Sequence, residues 1–429
     1  MRFWELFRRE GLDDQGASLL FDSGDLFFAS TPAPPFLVNQ WKAQAQGLVQ
    51  AMNELGYDAA APGDLDFAAG LAAFDELRSA ARFPFLSANI RKDGKEYLKA
   101  HRIFTRGGKK VAVFGLFDEG LPLPTSLTAE PHLDVARALV PLLRRQADMV
   151  VALTHLGVEK DQELARQVSG IDFIIGGHSQ SFLQEPLRAG STAIFQTSFR
   201  NQHVGVIVGN THRMMPLDEE LEPKSETARK TNPMVKLVAD TKAHVAELNR
   251  QAEAELLTTA APNQLSVPRY QTFTACVECH RPQFEFYRRT PHGRSYLALV
   301  SKGQNYNKDC LKCHTLGMNE ESGWTQVEQL VWDMKGRPVK PADFARRLPT
   351  MAATQVSHHQ KAYLNVQCEH CHGAADQHPF GASGFKKPVV STTCLQCHTP
   401  DQAPGWYKDG KANEAVISGK IKMMTCPRR

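Results

Sequence analysis

The chain has 429 residues, 42% of them hydrophobic and 22% charged, and a formal net charge of +4. This composition is typical of a soluble globular protein, and the length predicts two domains and a connecting segment rather than a single core. The small net charge, with no basic run interleaved with aromatic residues, argues against a nucleic-acid polymer as partner, and no apolar run is long enough for a membrane span.

Residues 1–212 are predicted to form an α/β domain, because apolar strand candidates alternate with amphipathic helices. A rigid sheet holds the loops at its strand ends while leaving them open to substrate. Polar residues at these ends are therefore candidate metal or phosphate ligands. They are Asp25 in SLLFDSGD, Asp64 in DAAAPGDLD, His155 in DMVVALTHLG, and His178 and Gln180 in IDFIIGGHSQ.

Five motifs of this region follow one another in a specific order: LLFDSGDLF, MNELGYDAAAPGDLDF, FPFLSANI, VVALTHLG and IDFIIGGHSQ. In order and spacing they resemble the calcineurin-like metallophosphatases, in particular the 5'-nucleotidase branch, over roughly residues 12–210. The resemblance implies a sandwich fold in which two divalent metal ions clamp a phosphoester. It also implies that Asp25 bridges the metals and that His155, His178 and Gln180 are metal ligands.

The sequence departs from this family at two places. The family begins with a strand carrying D-x-H, which supplies two metal ligands, and no such segment precedes MRFWELFRREG. Where the family reads GNHE or GNHD this chain reads GDLD, so Asp64 replaces a ligand asparagine and Leu65 replaces the histidine that stabilises the transition state. A carboxylate suits a hard cation, but leucine donates nothing.

The predicted metal site is therefore degenerate and holds one divalent ion, Mn, Zn, Mg or Ca. A retained fold without metal is the alternative. MRFWELFRREGLDDQ has no apolar stretch and is not a signal peptide. It resembles the first helix of the family, so we expect the D-x-H strand and an export signal to lie upstream.

Residues 213–265 are predicted to be a linker followed by a connecting helix. The stretch RMMPLDEELEPKSETARKTNP is polar and rich in proline, as linkers are. Asn232 followed by Pro233 is a favourable helix start, and the helix is predicted to run to about Leu257. Its apolar stripe consists of Val235, Val238, Val245 and Leu248. We expect this stripe to pack against a domain, since Lys242 would interrupt a coiled-coil seam.

Residues 266–429 contain all nine cysteines, and eight of them form four copies of C-x-x-C-H. The copies are Cys276, Cys279 and His280; Cys310, Cys313 and His314; Cys368, Cys371 and His372; and Cys394, Cys397 and His398. This motif attaches a c-type haem, because two thiols three positions apart reach both vinyl groups and the next histidine is the proximal iron ligand. The sequence predicts four covalently bound c-type haems.

A zinc or disulfide site is the alternative for these cysteines. A zinc site has no need of a histidine directly after the second cysteine, and here that histidine occurs in every copy. Cys426 stands outside the pattern and is expected to be a plain thiol.

The flanking segments FTACVECHRPQFEFYRRTPHGRSYLALV, DCLKCHTLG, VQCEHCHGAADQH and TTCLQCHTP carry a second resemblance. They resemble the tetrahaem cytochrome family that accepts electrons in hydroxylamine oxidation, from about Tyr270 to the end. In that family histidines outside the motifs are distal ligands, which implies His292 and His378, with His358 or His359 as a third. His370 lies between two attachment cysteines and is expected to be a surface residue.

Four haems on so little polypeptide predict a domain of helices and loops whose core includes the porphyrins. Two histidines on an iron fill both axial positions, which favours electron transfer. The sequence therefore predicts a multihaem electron carrier with redox proteins as partners, fused to a degenerate metallophosphatase-like domain. A metal-dependent phosphoesterase with an attached haem module is the alternative. Because c-type haem is attached after export, a periplasmic or extracellular location is expected.

Overall fold

A computed structural model describes residues 1–12, 17–209, 211–259, 270–318, 320, 323–324, 363–376, 378, 389–408 and 410–427. The chain divides into two compact units, Met1–Ala243 and His244–Arg429. The distal-ligand candidates His358 and His359 lie outside the described residues. None of the described helices is both long and apolar enough to cross a membrane.

The first unit alternates strands and helices. Its strands are, in chain order, β1 (Phe21–Asp22), β2 (Ala59–Ala60), β3 (Ile90–Lys92), β4 (Lys95–Glu96), β5 (His101–Arg106), β6 (Lys109–Phe117), β7 (Leu127–Ala129), β8 (Met149–His155), β9 (Phe173–Gly176), β10 (Leu187–Ala189), β11 (Thr192–Phe195), β12 (His203–Val208) and β13 (Thr211–Pro216). Its helices are α1 (Arg2–Arg9), α2 (Val38–Leu55), α3 (Leu71–Ala80), α4 (His132–Arg144), α5 (Val158–Gln167) and α6 (Glu226–Thr231), and α7 (Pro233–Thr259) follows.

A six-stranded sheet in the order β10-β11-β9-β8-β6-β5 forms the centre of this unit. Its four inner strands are parallel, and the two edge strands run antiparallel to their neighbours. Successive side chains of a strand point to opposite faces, and both faces of this sheet are covered. In β6, Ala112 and Phe114 pack with α4 and α5, while Val111 and Val113 pack toward β1 and β2. The α/β architecture predicted from the sequence is confirmed.

The loops after several strands meet at one edge of the sheet. Phe117 at the end of β6 pairs with His155 at the end of β8, and Thr154 pairs with Gly176 at the end of β9. Parallel strands therefore end in register at this edge, where the loop after β9 carries His178. Strand β1, which pairs in parallel with β2, leads into the loop that carries Asp25.

The structure divides the chain differently from the predicted segments 1–212, 213–265 and 266–429. Thr211–Pro216 forms β13, which pairs with β12 along its whole length, so the first unit continues beyond the predicted linker start. Met215 and Leu217 pack there against buried Leu6. Helix α7 begins at Pro233 as expected, where the side-chain oxygen of Asn232 accepts the N–H of Met234 at 3.0 Å.

The second unit consists of short helices and loops. After α7 its described helices are α8 (Thr272–Cys279), α9 (Arg281–Tyr287), α10 (Ser295–Ser301), α11 (Lys308–His314), α12 (Cys368–His372), α13 (Ser391–Leu395) and α14 (Glu414–Met423), and a hairpin pairs β14 (Tyr407–Lys408) with β15 (Lys411–Ala412). A core around Tyr296, Leu311 and Trp324 lies among them. The predicted helix-and-loop character is confirmed.

Candidate functional site

Four side chains of the first unit converge at the carboxyl edge of the sheet. Asp25, Asp64, His155 and His178 each offer one ligand atom, and these atoms all lie within 4.8 Å of one another. Among the described residues they form the one group of this kind. All four are predicted site residues, and the fifth, Gln180, lies exposed in the loop of His178.

The distances fit a single cation. His155 Nε2 lies 3.4 Å from Asp25 Oδ1 and 3.4 Å from Asp64 Oδ1, and His178 Nδ1 lies 3.6 Å from Asp64 Oδ1. Ligands bound at about 2.1 Å around one ion are separated by roughly 3.0–3.5 Å. His155 is fully buried, whereas the side chain of His178 is 36% exposed, so the cluster is open on one side.

The backbone at this site is held in an unusual conformation. Asp25, His178 and Gln180 have φ of 60°, 71° and 54°, a region that residues other than glycine rarely adopt and that clusters at functional sites. Gly63 permits the loops to approach closely, because a Cβ there would lie 2.6 Å from His155 Cε1 and closer still to the Asp25 carboxylate. The loops are thus packed around the ligand atoms with little space to spare.

His155 is oriented as a metal ligand would be. Its Nδ1 lies 2.7 Å from the carbonyl oxygen of Ser23, which fixes the tautomer and directs Nε2 to the two carboxylates. His155 Nε2 and Asp64 Oδ1 are buried, and neither has a hydrogen-bond partner of acceptable geometry among the described residues. Buried polar atoms without partners are rare. These two atoms and the mixed carboxylate and imidazole donors fit a divalent ion.

The charges at the cluster depend on one another. Burial opposes a charged His155, but the neighbouring carboxylates of Asp25 and Asp64 outweigh it and raise the pKa of His155 to about 10. Burial likewise acts to raise the pKa of Asp64, but His155 and His178 lower it below its ordinary value. Metal binding at this cluster would therefore displace a proton from His155.

Asp66 organises the site and was not singled out from the sequence. It is completely buried, and its carboxylate accepts the backbone N–H groups of Leu26 at 2.7 Å, Phe27 at 3.0 Å, Gly63 at 2.8 Å and Asp25 at 3.1 Å. One side chain thus joins the loop of Asp25 to the loop of Asp64. The sequence feature that points to Asp66 is its place as the second aspartate of GDLD.

Leu65 lies between Asp64 and Asp66, at the start of a short 3₁₀ turn, Leu65–Phe67. Its backbone N–H donates to Asp25 Oδ1 at 3.0 Å, so its contribution to the cluster comes from the main chain. Its side chain is aliphatic and offers no hydrogen bond to a substrate.

In the second unit the thiols of all four C-x-x-C-H motifs are free of disulfides. The described residues include no cysteine group with the geometry of a metal site. Thiols of different motifs are neighbours, since Cys276 lies beside Cys368 and Cys313 lies beside Cys397. The first motif thus adjoins the third, and the second adjoins the fourth.

Two histidines outside the motifs face histidines inside them. The ring centroids of His280 and His378 are 6.4 Å apart, and those of His292 and His398 are 6.0 Å apart. Two imidazoles on opposite sides of one metal ion, each bound at about 2 Å, have centroids about 6 Å apart. Burial and the neighbouring His398 and His314 lower the pKa of His292, which favours the neutral form that binds metal.

His314 of the second motif and His370, between the cysteines of the third, differ in their surroundings. His314 Nδ1 lies 2.7 Å from the carbonyl oxygen of Ser295, the arrangement that leaves Nε2 free for a metal. His370 is not the free surface residue expected from the sequence, because both of its ring nitrogens are engaged by the backbone. It is partly buried, and burial lowers its pKa to about 4.

The comparisons with known proteins match the two units separately. In the second unit, residues 275–332 match the family described as "Cytochrome c554 and c-prime". In the first, 182 residues are 34% identical to snake venom 5'-nucleotidase of Gloydius brevicauda, covering 38% of this chain and 29% of that protein. Bovine 5'-nucleotidase is 32% identical over 38% of this chain and 30% of its own length. Protein UshA of Salmonella pullorum is 31% identical, with 40% and 34% covered.

Solved structures also resemble the first unit. The sulfate thiohydrolase SoxB of Thermus thermophilus has a TM-score of 0.48 and 25% identity, and the match covers 56% of this chain and 46% of that one. A 5'-nucleotidase precursor of the same organism has a TM-score of 0.47 and 22% identity, with 57% and 52% covered.

Both resemblances identified in the sequence are confirmed by the matches to the cytochrome family and to the 5'-nucleotidases. The chain joins a region similar to 5'-nucleotidases to a region similar to c-type cytochromes. It spans about a third of the length of the curated relatives it matches.

Proposed function

We propose that this protein is a multihaem electron-transfer protein whose metallophosphatase-like unit retains one divalent metal site. The paired histidines at 6.4 Å and 6.0 Å carry the first half of this proposal. Bound c-type haems would supply reversible one-electron chemistry at the four C-x-x-C-H motifs. The redox partners are expected to be proteins.

The histidine pairs suggest specific axial ligands. His280 would be the proximal ligand at the first motif, and the ring of His378, 6.4 Å from it, supports His378 as the second ligand of the same iron. His398 of the fourth motif has His292 in the corresponding position. With both axial positions filled by histidine, such irons exchange electrons rather than bind small molecules. His358 or His359 remains the candidate for a third distal ligand.

Spin state tests these ligand assignments. The matured full-length protein should show low-spin haem by electron paramagnetic resonance, because strong axial ligands are present on both sides. His292→Ala and His378→Ala should each convert one haem to high spin, while His244→Ala, at an exposed histidine, should not. Spectra that are identical in all four proteins would contradict the assignment.

The first unit supports a second candidate function, metal-dependent phosphoester hydrolysis. Asp25, Asp64, His155 and His178 would hold one ion, and imidazole together with carboxylate favours Mn or Zn over Mg or Ca. Bound there, the ion would supply Lewis-acid activation of a phosphoester. Leu65 removes a donor at the reacting group, so we infer that the unit binds metal but turns over poorly. We propose a periplasmic or extracellular location, because c-type haem is attached after export.

A further inference from the structure

The third C-x-x-C-H motif differs from the other three at its two inner positions. Elsewhere the first inner residue is apolar and the second is polar and exposed: Val277 and Glu278, Leu311 and Lys312, Leu395 and Gln396. In the third motif both are polar. Glu369 is only 3% exposed, and His370 is partly buried. A carboxylate is rarely buried to this degree unless several donors surround it.

Glu369 connects the third motif to the first. Its Oε2 accepts the N–H of Thr272 at 2.8 Å, and its Oε1 accepts the N–H groups of Gln271 at 3.1 Å and Ala375 at 2.8 Å. Gln271 and Thr272 begin helix α8, which carries Cys276 and Cys279. The first N–H groups of a helix have no partner within it, and a carboxylate there also interacts favourably with the helix dipole.

His370 connects the same motif to the second. Its Nδ1 accepts the N–H of Gln367 at 2.9 Å, so the proton is on Nε2, which donates to the carbonyl oxygen of Thr315 at 3.1 Å. Thr315 directly follows His314, the motif histidine of α11. The side chain of Gln367 adds a further link to the first motif, since its oxygen accepts the N–H of Phe273 at 2.9 Å.

We propose that Glu369 and His370 are positioning residues that fix the attachment segments of the first, second and third haems relative to one another. A haem bonded to its motif through two thioethers and a histidine moves with that motif. Hydrogen bonds that lock three motifs together therefore set the separation and angle of the haems. This inference rests on the proposed multihaem function and adds the residues that determine the haem geometry.

The Soret circular dichroism of the full-length, haem-loaded protein tests this role. Neighbouring haems give a two-signed band whose shape depends on their separation and angle, and a residue with a merely local role would not change it. The variants are Glu369→Ala, His370→Leu and His370→Gln, whose amide can still donate to Thr315. Glu278→Ala is the matched control, an exposed acidic residue inside the first motif.

Glu369→Ala and His370→Leu should lose or invert the two-signed band, whereas His370→Gln and Glu278→Ala should keep it. Failure of Glu369→Ala to attach haem at Cys276 and Cys279, while Glu278→Ala attaches it, would support the same link. Bands of wild-type shape in both Glu369→Ala and His370→Leu, with four haems attached, would overturn the inference. Absence of haem from the unsubstituted protein would instead overturn the proposed function.

Discussion

Replacing Asp66 with asparagine should destabilise the first unit and weaken its metal site. The two carboxylate oxygens of Asp66 each accept two backbone N–H groups at 2.7–3.1 Å. In asparagine one oxygen becomes an NH₂ group, which faces two N–H donors and cannot accept from either. Each buried donor left without a partner costs about 1–3 kcal/mol, so the change should cost about 2–6 kcal/mol.

This loss is large beside the 5–15 kcal/mol that is typical of a whole domain. In a unit of this size about 1 kcal/mol lowers the melting temperature by roughly 2–4 °C, so a decrease of at least about 4 °C is expected. The affinity for Mn²⁺ should fall as well, because Asp66 holds the loops of both Asp25 and Asp64.

Calorimetry of the full-length protein with and without Mn²⁺ measures both effects. Asp93→Asn is the matched control, because Asp93 is exposed and its φ of 51° is one that asparagine tolerates. An Asp66→Asn protein that melts and binds Mn²⁺ like Asp93→Asn would refute the role given to Asp66.

Two further predictions concern the first unit. With Mn²⁺ the protein should hydrolyse a chromogenic phosphoester poorly. Leu65 offers no hydrogen bond to the transition state, and the loss of one such donor lowers the rate by about 10²–10³. Robust turnover that Asp25→Ala abolishes would show this to be wrong. Burial raises the pKa of Asp161 to about 7, above its ordinary 3.8. Its contribution to stability is therefore present below about pH 4 and is lost as the pH rises through 7. The free energy of unfolding should fall by no more than about 1.4 kcal/mol per pH unit over this range. Asp161→Asn should flatten this dependence in calorimetry at pH 5 and 7, and an unchanged slope would count against it.

Local sequence patterns predicted the features that depend on neighbouring residues. The C-x-x-C-H spacing and the start of α7 at Pro233 could be recognised because each is specified within a few positions. The cluster of Asp25, Asp64, His155 and His178 could be anticipated because its members follow strands of one α/β domain. The paired ends of β6 and β8 then explain how residues so distant in sequence come together.

Features that depend on contacts between distant segments were not predictable. Glu369 lies 98 positions from Gln271, and His370 lies 55 from Thr315, so nothing local distinguishes these residues from exposed ones. Residues 213–216 of strand β13 fall in the predicted linker, because the stretch that begins there is polar and rich in proline. Its pairing with β12 supplies the hydrogen bonds that its composition does not suggest.

The number of haems attached after maturation tests the central claim most directly. The full-length chain, exported and matured with cytochrome assembly machinery, should gain the mass of four haems. Replacing Cys310 and Cys313 together with serine should reduce the gain to three. A mature protein with fewer than four haems would contradict the predicted number, and a protein with none would contradict the cytochrome function itself.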